Sequence, residues 1–166
     1  MPAVVLNYSN NMITGMKTMN KDIKFVVLSL LLALASIAFS ESSDLTTLSS
    51  VAPDGARVYI VSPTDGQILS SPVRVVFGSK KIAISPAGTE VANSGHHHLL
   101  IDLDALPGMD LPLPASTQLI HFGKGQTETT LTLEPGEHSL QLLLGNYIHV
   151  PHTQPVMSPK ITILIE

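Results

Sequence analysis

Past residue 55, apolar and polar positions fall into short runs broken by Pro and Gly, the signature of strands joined by turns. Arg57-Val58-Tyr59-Ile60-Val61 is the first run, and Ser62-Pro63-Thr64-Asp65-Gly66 is its turn. Pro72-Val73-Arg74-Val75-Val76-Phe77 is the second, and Lys81-Ile82-Ala83-Ile84 a short third. A loop rich in Pro, Gly and Asn covers 85–95. Further strands are expected at 97–103, 118–122, 127–133, 137–144 and 161–165. The run 127–133 alternates Thr and Leu with a period of two. Gly123-Lys124-Gly125 and Glu134-Pro135-Gly136 supply turns, while 104–117 and 146–159 read as longer loops. No helical period appears after residue 40. The pattern predicts an all-β, immunoglobulin-like sandwich of about seven strands over 56–166. Its inner faces would bury Val58, Ile60, Val73, Val75, Leu131, Leu133, Leu140, Leu142, Ile161 and Ile163, or their neighbours.

Upstream the pattern changes. Lys17, Lys21 and Lys24 precede an apolar run over 25–38, and Ala38-Phe39-Ser40 offers small residues at the recognition positions for cleavage. Residues 16–40 therefore read as a signal peptide cut after Ser40. The apolar run is shorter than the about 18 residues a membrane anchor requires. Residues 1–15 have no signal character, and Met16 or Met19 is an alternative start. The expected organisation is an N-terminal extension and signal over 1–40, a flexible Ser/Thr-rich lead-in over 41–55, and the domain over 56–166. The expected location is the periplasm or the exterior, with no membrane span after cleavage.

Composition narrows the chemistry. There is no Cys, which excludes disulfides, thiolate metal ligands, a Cys nucleophile and a lipid-modified Cys. There is no Trp for stacking sugars. Loss of 1–40 removes Lys17, Lys21, Lys24 and Asp22, so nine basic and thirteen acidic residues become six and twelve, a net charge of −6. An acidic domain is a poor partner for nucleic acid and attracts cations weakly.

All seven histidines fall between 96 and 152. In His96-His97-His98, strand alternation puts His96 and His98 on one face, with Leu100 and Asp102. His97 joins Leu99 and Ile101 on the core side. Two imidazoles two residues apart on a strand can chelate one ion, and imidazole suits copper, zinc and nickel. His149-Val150-Pro151-His152 offers a second pair, stiffened by Pro151. The candidate ligands are His96, His98, His149 and His152, with His121 as a further ligand or a strand-end residue. His97 is expected to bond to a loop. His138, two residues after Pro-Gly, is expected to pack at a sandwich corner. No Gly-x-Ser-x-Gly elbow, His-Glu-x-x-His helix or phosphate-binding Gly loop is present, so no enzyme is expected.

Three blocks carry a family resemblance: Gly95-His96-His97-His98-Leu99-Leu100-Ile101-Asp102, His121-Phe122-Gly123-Lys124-Gly125-Gln126-Thr127-Glu128-Thr129, and Pro135-Gly136-Glu137-His138-Ser139-Leu140-Gln141-Leu142-Leu143-Leu144-Gly145 followed by His149-Val150-Pro151-His152. Over about 57–166 the chain resembles the bacterial exported family labelled domain of unknown function 4399. The resemblance implies a small exported domain standing alone after a signal peptide. Asn146-Tyr147 departs from the family, which usually has an acidic residue after the glycine.

The expected function is periplasmic metal binding for storage, delivery or buffering, with copper the first candidate and zinc the second. Met109 or Met157 would have to join for copper(I) to be favoured. Two alternatives stay open. One is a module that binds an envelope protein or polymer through structural or pH-sensing histidines. The other is an enzyme using the same ion at an open coordination position.

Overall fold

The structure, a computed structural model, describes residues 48–166. The expected signal peptide and the first part of the lead-in lie outside the described residues. Nine strands form: β1 (Arg57–Ser62), β2 (Ile68–Leu69), β3 (Val73–Lys80), β4 (Ala83–Ile84), β5 (Ser94–Ile101), β6 (Leu119–His121), β7 (Glu128–Leu131), β8 (Gly136–Gly145) and β9 (Ile161–Ile165). Two sheets result, one in the order β1-β3-β7, the other β2-β9-β8-β5-β4 with β6 added beside β5. The chain is therefore all-β among the described residues. Three strands facing a sheet built on β9-β8-β5-β6 reproduce the immunoglobulin-like sandwich arrangement. No helix among the described residues is long and apolar enough to cross a membrane.

Strand alternation builds the core. Val58, Val73, Val75, Phe77 and Leu131 from one sheet meet Leu99, Ile101, Leu140, Leu142, Leu144, Ile163 and Ile165 from the other in a single buried cluster. Ile60, Leu133 and Ile161, expected inside, pack half-buried at its border. Two differences from the expected strands have local causes. β5 starts at Ser94 rather than 97, because β4 pairs with it in parallel at Ser94 and Gly95. It stops at Ile101 because Asp102 takes φ of +51°, which ends an extended strand. β2 was not expected, since two residues beside β9 carry no periodicity.

Asp102 also closes one corner of the sandwich. Its Oδ1 accepts from the Ser139 backbone N–H at 2.7 Å, and its Oδ2 lies 2.7 Å from His138 Nδ1. His138 Nε2 donates back to the Glu134 carbonyl at 2.9 Å. The histidine thus does what a corner tyrosine does in related sandwiches, tying the start of a strand to the turn before it.

β5 is buried along its whole length. Its inner face lies in the main core. Its outer face, where a sandwich usually meets water, lies under the two long loops. Leu113 from the first loop packs with Leu100, Leu119 and Leu143 into a second apolar cluster. The second loop is stitched on by bridges from Leu143 to Met157 and from Gly145 to Pro151. Burying each such leucine stabilises by about 1.5–3 kcal/mol, which favours keeping the loops down.

Candidate metal centre

The outer face of β5 carries the chemistry. β6 runs antiparallel to β5 with His121 directly opposite His98. Directly opposed residues project to the same side, so two distant parts of the chain place imidazoles together. On the other flank β8 sets Gly145 opposite His96 and Leu143 opposite His98. Gly145 is bare for a reason. A Cβ there would stand 2.8 Å from His98 Cε1 and 3.2 Å from the His149 Cα. The gap left by the missing side chain admits both the His98 ring and the incoming loop. Gly123 plays a similar part below β6, where the His121 ring lies so close that a Cβ would be 2.3 Å from its Cε1.

His149 arrives from the second loop at φ of +71°. Asn146 shapes that loop. Its Oδ1 accepts from the backbone N–H groups of Ile148 and Val150 at 3.1 and 3.0 Å, and its Nδ2 donates to the Leu48 carbonyl at 2.8 Å. An aspartate could not make the last bond, which accounts physically for an amide at this position. The Leu113 N–H then fixes the His149 carbonyl at 3.0 Å.

Four rings converge. His96 is 4.8 Å from His98, 4.9 Å from His121 and 5.0 Å from His149, centroid to centroid. His121 is 4.6 Å from His149 and stacks on His98 at 5.1 Å. His98 and His149 are farther apart, at 6.2 Å. One ring nitrogen from each of His96, His121 and His149 can be chosen so that all three lie within 4.8 Å of one another. A shared ion at ordinary Zn–N lengths of about 2.0–2.1 Å sets three nitrogens roughly 3.3–3.6 Å apart, so the set would have to draw in to close on one ion.

Several of the ring nitrogens lack a hydrogen-bond partner among the described residues. His96 Nε2, both nitrogens of His98 and His121 Nε2 are buried without a hydrogen bond. A buried polar group left unpaired costs about 1–3 kcal/mol, and four such atoms at one place form a cluster that could hold a cation. Burial, reinforced by the neighbouring rings, pushes His96 and His98 down to about 3. Burial lowers His121 as well, with His149 adding to the effect. These rings are neutral at physiological pH and can ligate without first losing a proton.

The other histidines lie elsewhere. His152, expected beside His149 as a ligand, is buried next to Gly95, and its Nε2 donates to the Ser94 carbonyl at 3.3 Å. It makes no ring contact with the cluster, and it lines a cavity of about 440 Å³ with Ser50, Ser94, Asn146 and Tyr147. His97 faces inward. Its Nδ1 donates to the Gln126 carbonyl at 3.1 Å, and its ring lies 5.0 Å from Phe77. Met109 and Met157 pack on the second apolar cluster. The parts that Gly145, Gly123 and Asn146 play at the cluster were not expected. A glycine ending the Leu142-Leu143-Leu144 run was the available signal, since glycine in a strand often marks a close approach.

Neither the curated proteins nor the solved structures contain a match to this chain. Residues 75–166 match the family described as Domain of unknown function (DUF4399). That span holds His96, His98, His121 and His149 together with the glycines that make room for them, and the chain belongs to this family.

Proposed function

We propose that this domain is an exported transition-metal-binding module, acting outside the cytoplasm in storage, delivery or buffering. His96, His121 and His149 form the primary ligand set and His98 stands beside them. Copper is the first candidate, because copper(II) leads the divalent affinity order at nitrogen sites, and zinc is the second. The observation that carries the reading is the meeting of four imidazoles from three chain segments, three of them with buried nitrogens that have no hydrogen-bond partner among the described residues. Rings held near 3 stay uncharged around pH 6.5, which argues against His96 and His98 serving as pH-sensing charges for an envelope partner. The apolar residues N-terminal to Ser40 support export.

The test is calorimetric titration of the purified protein with copper(II) and zinc(II), beside His96→Ala, His121→Ala, His149→Ala and His152→Ala variants. One ion per chain is expected, with affinity lost in the first three variants and the stoichiometry kept in the fourth. Binding no tighter than about millimolar in the parent protein would sink the reading. Loss in His152→Ala equal to that in His149→Ala would redraw the ligand set.

A further inference from the structure

We propose, resting on the metal reading above, that the bound ion completes its coordination with a small inorganic anion from solution, held on the side of His121 and His149. The argument begins with charge. Every candidate ligand is an imidazole, a ligand with no negative charge of its own, so the cluster brings nothing to offset a divalent ion. Asp102 is the acidic residue that follows β5 directly, and both of its oxygens are committed, one to Ser139 and one to His138. His96 and His98 are each 1% exposed, so the inner half of the site is shut off from water. Uncompensated charge in such surroundings is costly, and the cost climbs steeply with the size of the charge. A divalent ion there is stabilised by an anionic ligand, which none of the described residues at the cluster supplies.

Geometry leaves room for that ligand. Three nitrogens lie within 4.8 Å of one another, and three protein ligands on a tetrahedral ion leave a fourth position open. His98 stacks on His121 and lies 6.2 Å from His149, so it backs the triad instead of capping it. The direction of the opening follows from burial. His96 and His98 are sealed, whereas His121 and His149 are half-buried. The vacant position therefore faces outward between them. The glycine beneath His121 adds no side chain to that edge. The ligand class is a compact monoanion, with hydroxide the one always present in water.

The experiment uses the whole protein and azide as the probe. Copper(II) is added, excess is removed by gel filtration, and metal per chain is measured. Azide is then titrated while absorption and electron paramagnetic resonance spectra are recorded. A His121→Ala variant carried through the same steps gives the background. The expected result is one retained copper, a new azide-to-copper charge-transfer band that saturates at one azide per copper, and no comparable copper or band in the variant. Retained copper that azide leaves spectrally unchanged would overturn this inference while leaving the metal site standing. Copper held only after reduction, with no anion effect, would also overturn it, since the neutral shell would then be matched to a monovalent ion. Failure to retain copper or zinc, or equal retention by the variant, would overturn the metal reading and this inference together.

Discussion

Replacing His98 by Leu should make the metal-free protein more stable while weakening its hold on metal. His98 is 1% exposed and neither of its nitrogens has a partner. Its neighbours in the register are Leu143 across β8 and Leu100 two residues along, so a leucine would extend the second apolar cluster. Removing two unpaired buried nitrogens is worth about 1–3 kcal/mol each. Imperfect repacking of a similar volume takes back up to about 1.5 kcal/mol. The net expectation at neutral pH is a gain of at least about 0.5 kcal/mol, read by urea unfolding of the metal-free proteins. The pH dependence gives a second reading. His98 is held at about 3 in the folded chain against an ordinary 6.5. Below 6.5 the unfolded chain takes up a proton that the folded chain refuses. The stability tied to a neutral His98 is thus fully present above 6.5 and drains away as pH falls toward 3, at about 1.4 kcal/mol per pH unit. The Leu variant should lose that component of the acid slope and keep the part due to His96. A metal-free His98→Leu protein less stable than the parent, with an unchanged acid slope, would refute the claim that this ring is buried, neutral and unpartnered.

Gly145→Ala should lower stability by about 1–2 kcal/mol. Overpacking costs about 1–3 kcal/mol, and the stiffer unfolded chain offsets about 0.4–1 kcal/mol of it. Metal affinity should fall with it, because the new methyl meets His98 and the His149 backbone. Gly108→Ala, whose Cβ has an ordinary 3.5 Å neighbour, is the control and should stay within about 0.5 kcal/mol. His138→Phe should remove the Asp102 and Glu134 bonds. These bonds raise His138 above its usual value, so its contribution is fully present below 6.5 and fades as pH rises through the raised folded value. The stability gap between parent and variant, about 1.5–3 kcal/mol for a charged hydrogen bond, should therefore narrow in alkaline urea titrations. Stripping bound metal with a chelator should lower the unfolding midpoint of the parent and leave that of His98→Leu/His149→Ala unmoved.

The fold was readable because its signals are local. Thr127 to Leu133 alternates by two, Pro-Gly and Asp-Gly stand at the turns, and no residue after 40 keeps a helical period. The split of the histidine triple into an inward His97 and outward His96 and His98 follows from the same alternation. What alternation cannot tell is which strands become neighbours. His121 joins the cluster only because β6 docks beside β5 in a register that sets it opposite His98. A histidine twenty-three positions away carries no mark of that pairing. His152 shows the reverse case. It stands three residues from His149, yet the left-handed turn at His149 and the bonds of Asn146 send the two rings to different sides of β5. The outer face of a generic sandwich carries polar residues toward water, and only the long loops, which have no periodicity, make it a second interior here.

The way the second loop is fastened governs timing as well as affinity. An ion gripped by His149 is held by a segment that is itself fastened down. The segment is held at Leu113, at Leu48 through Asn146, and at Ser50 through the Thr153 N–H. Swinging His149 off the ion would then require these bonds to open together, as a local unfolding event. An ion caught in this way would exchange slowly even where its equilibrium binding was modest. The chain just before the sandwich, supplying the Leu48 and Ser50 carbonyls, would act as the latch that sets its residence time.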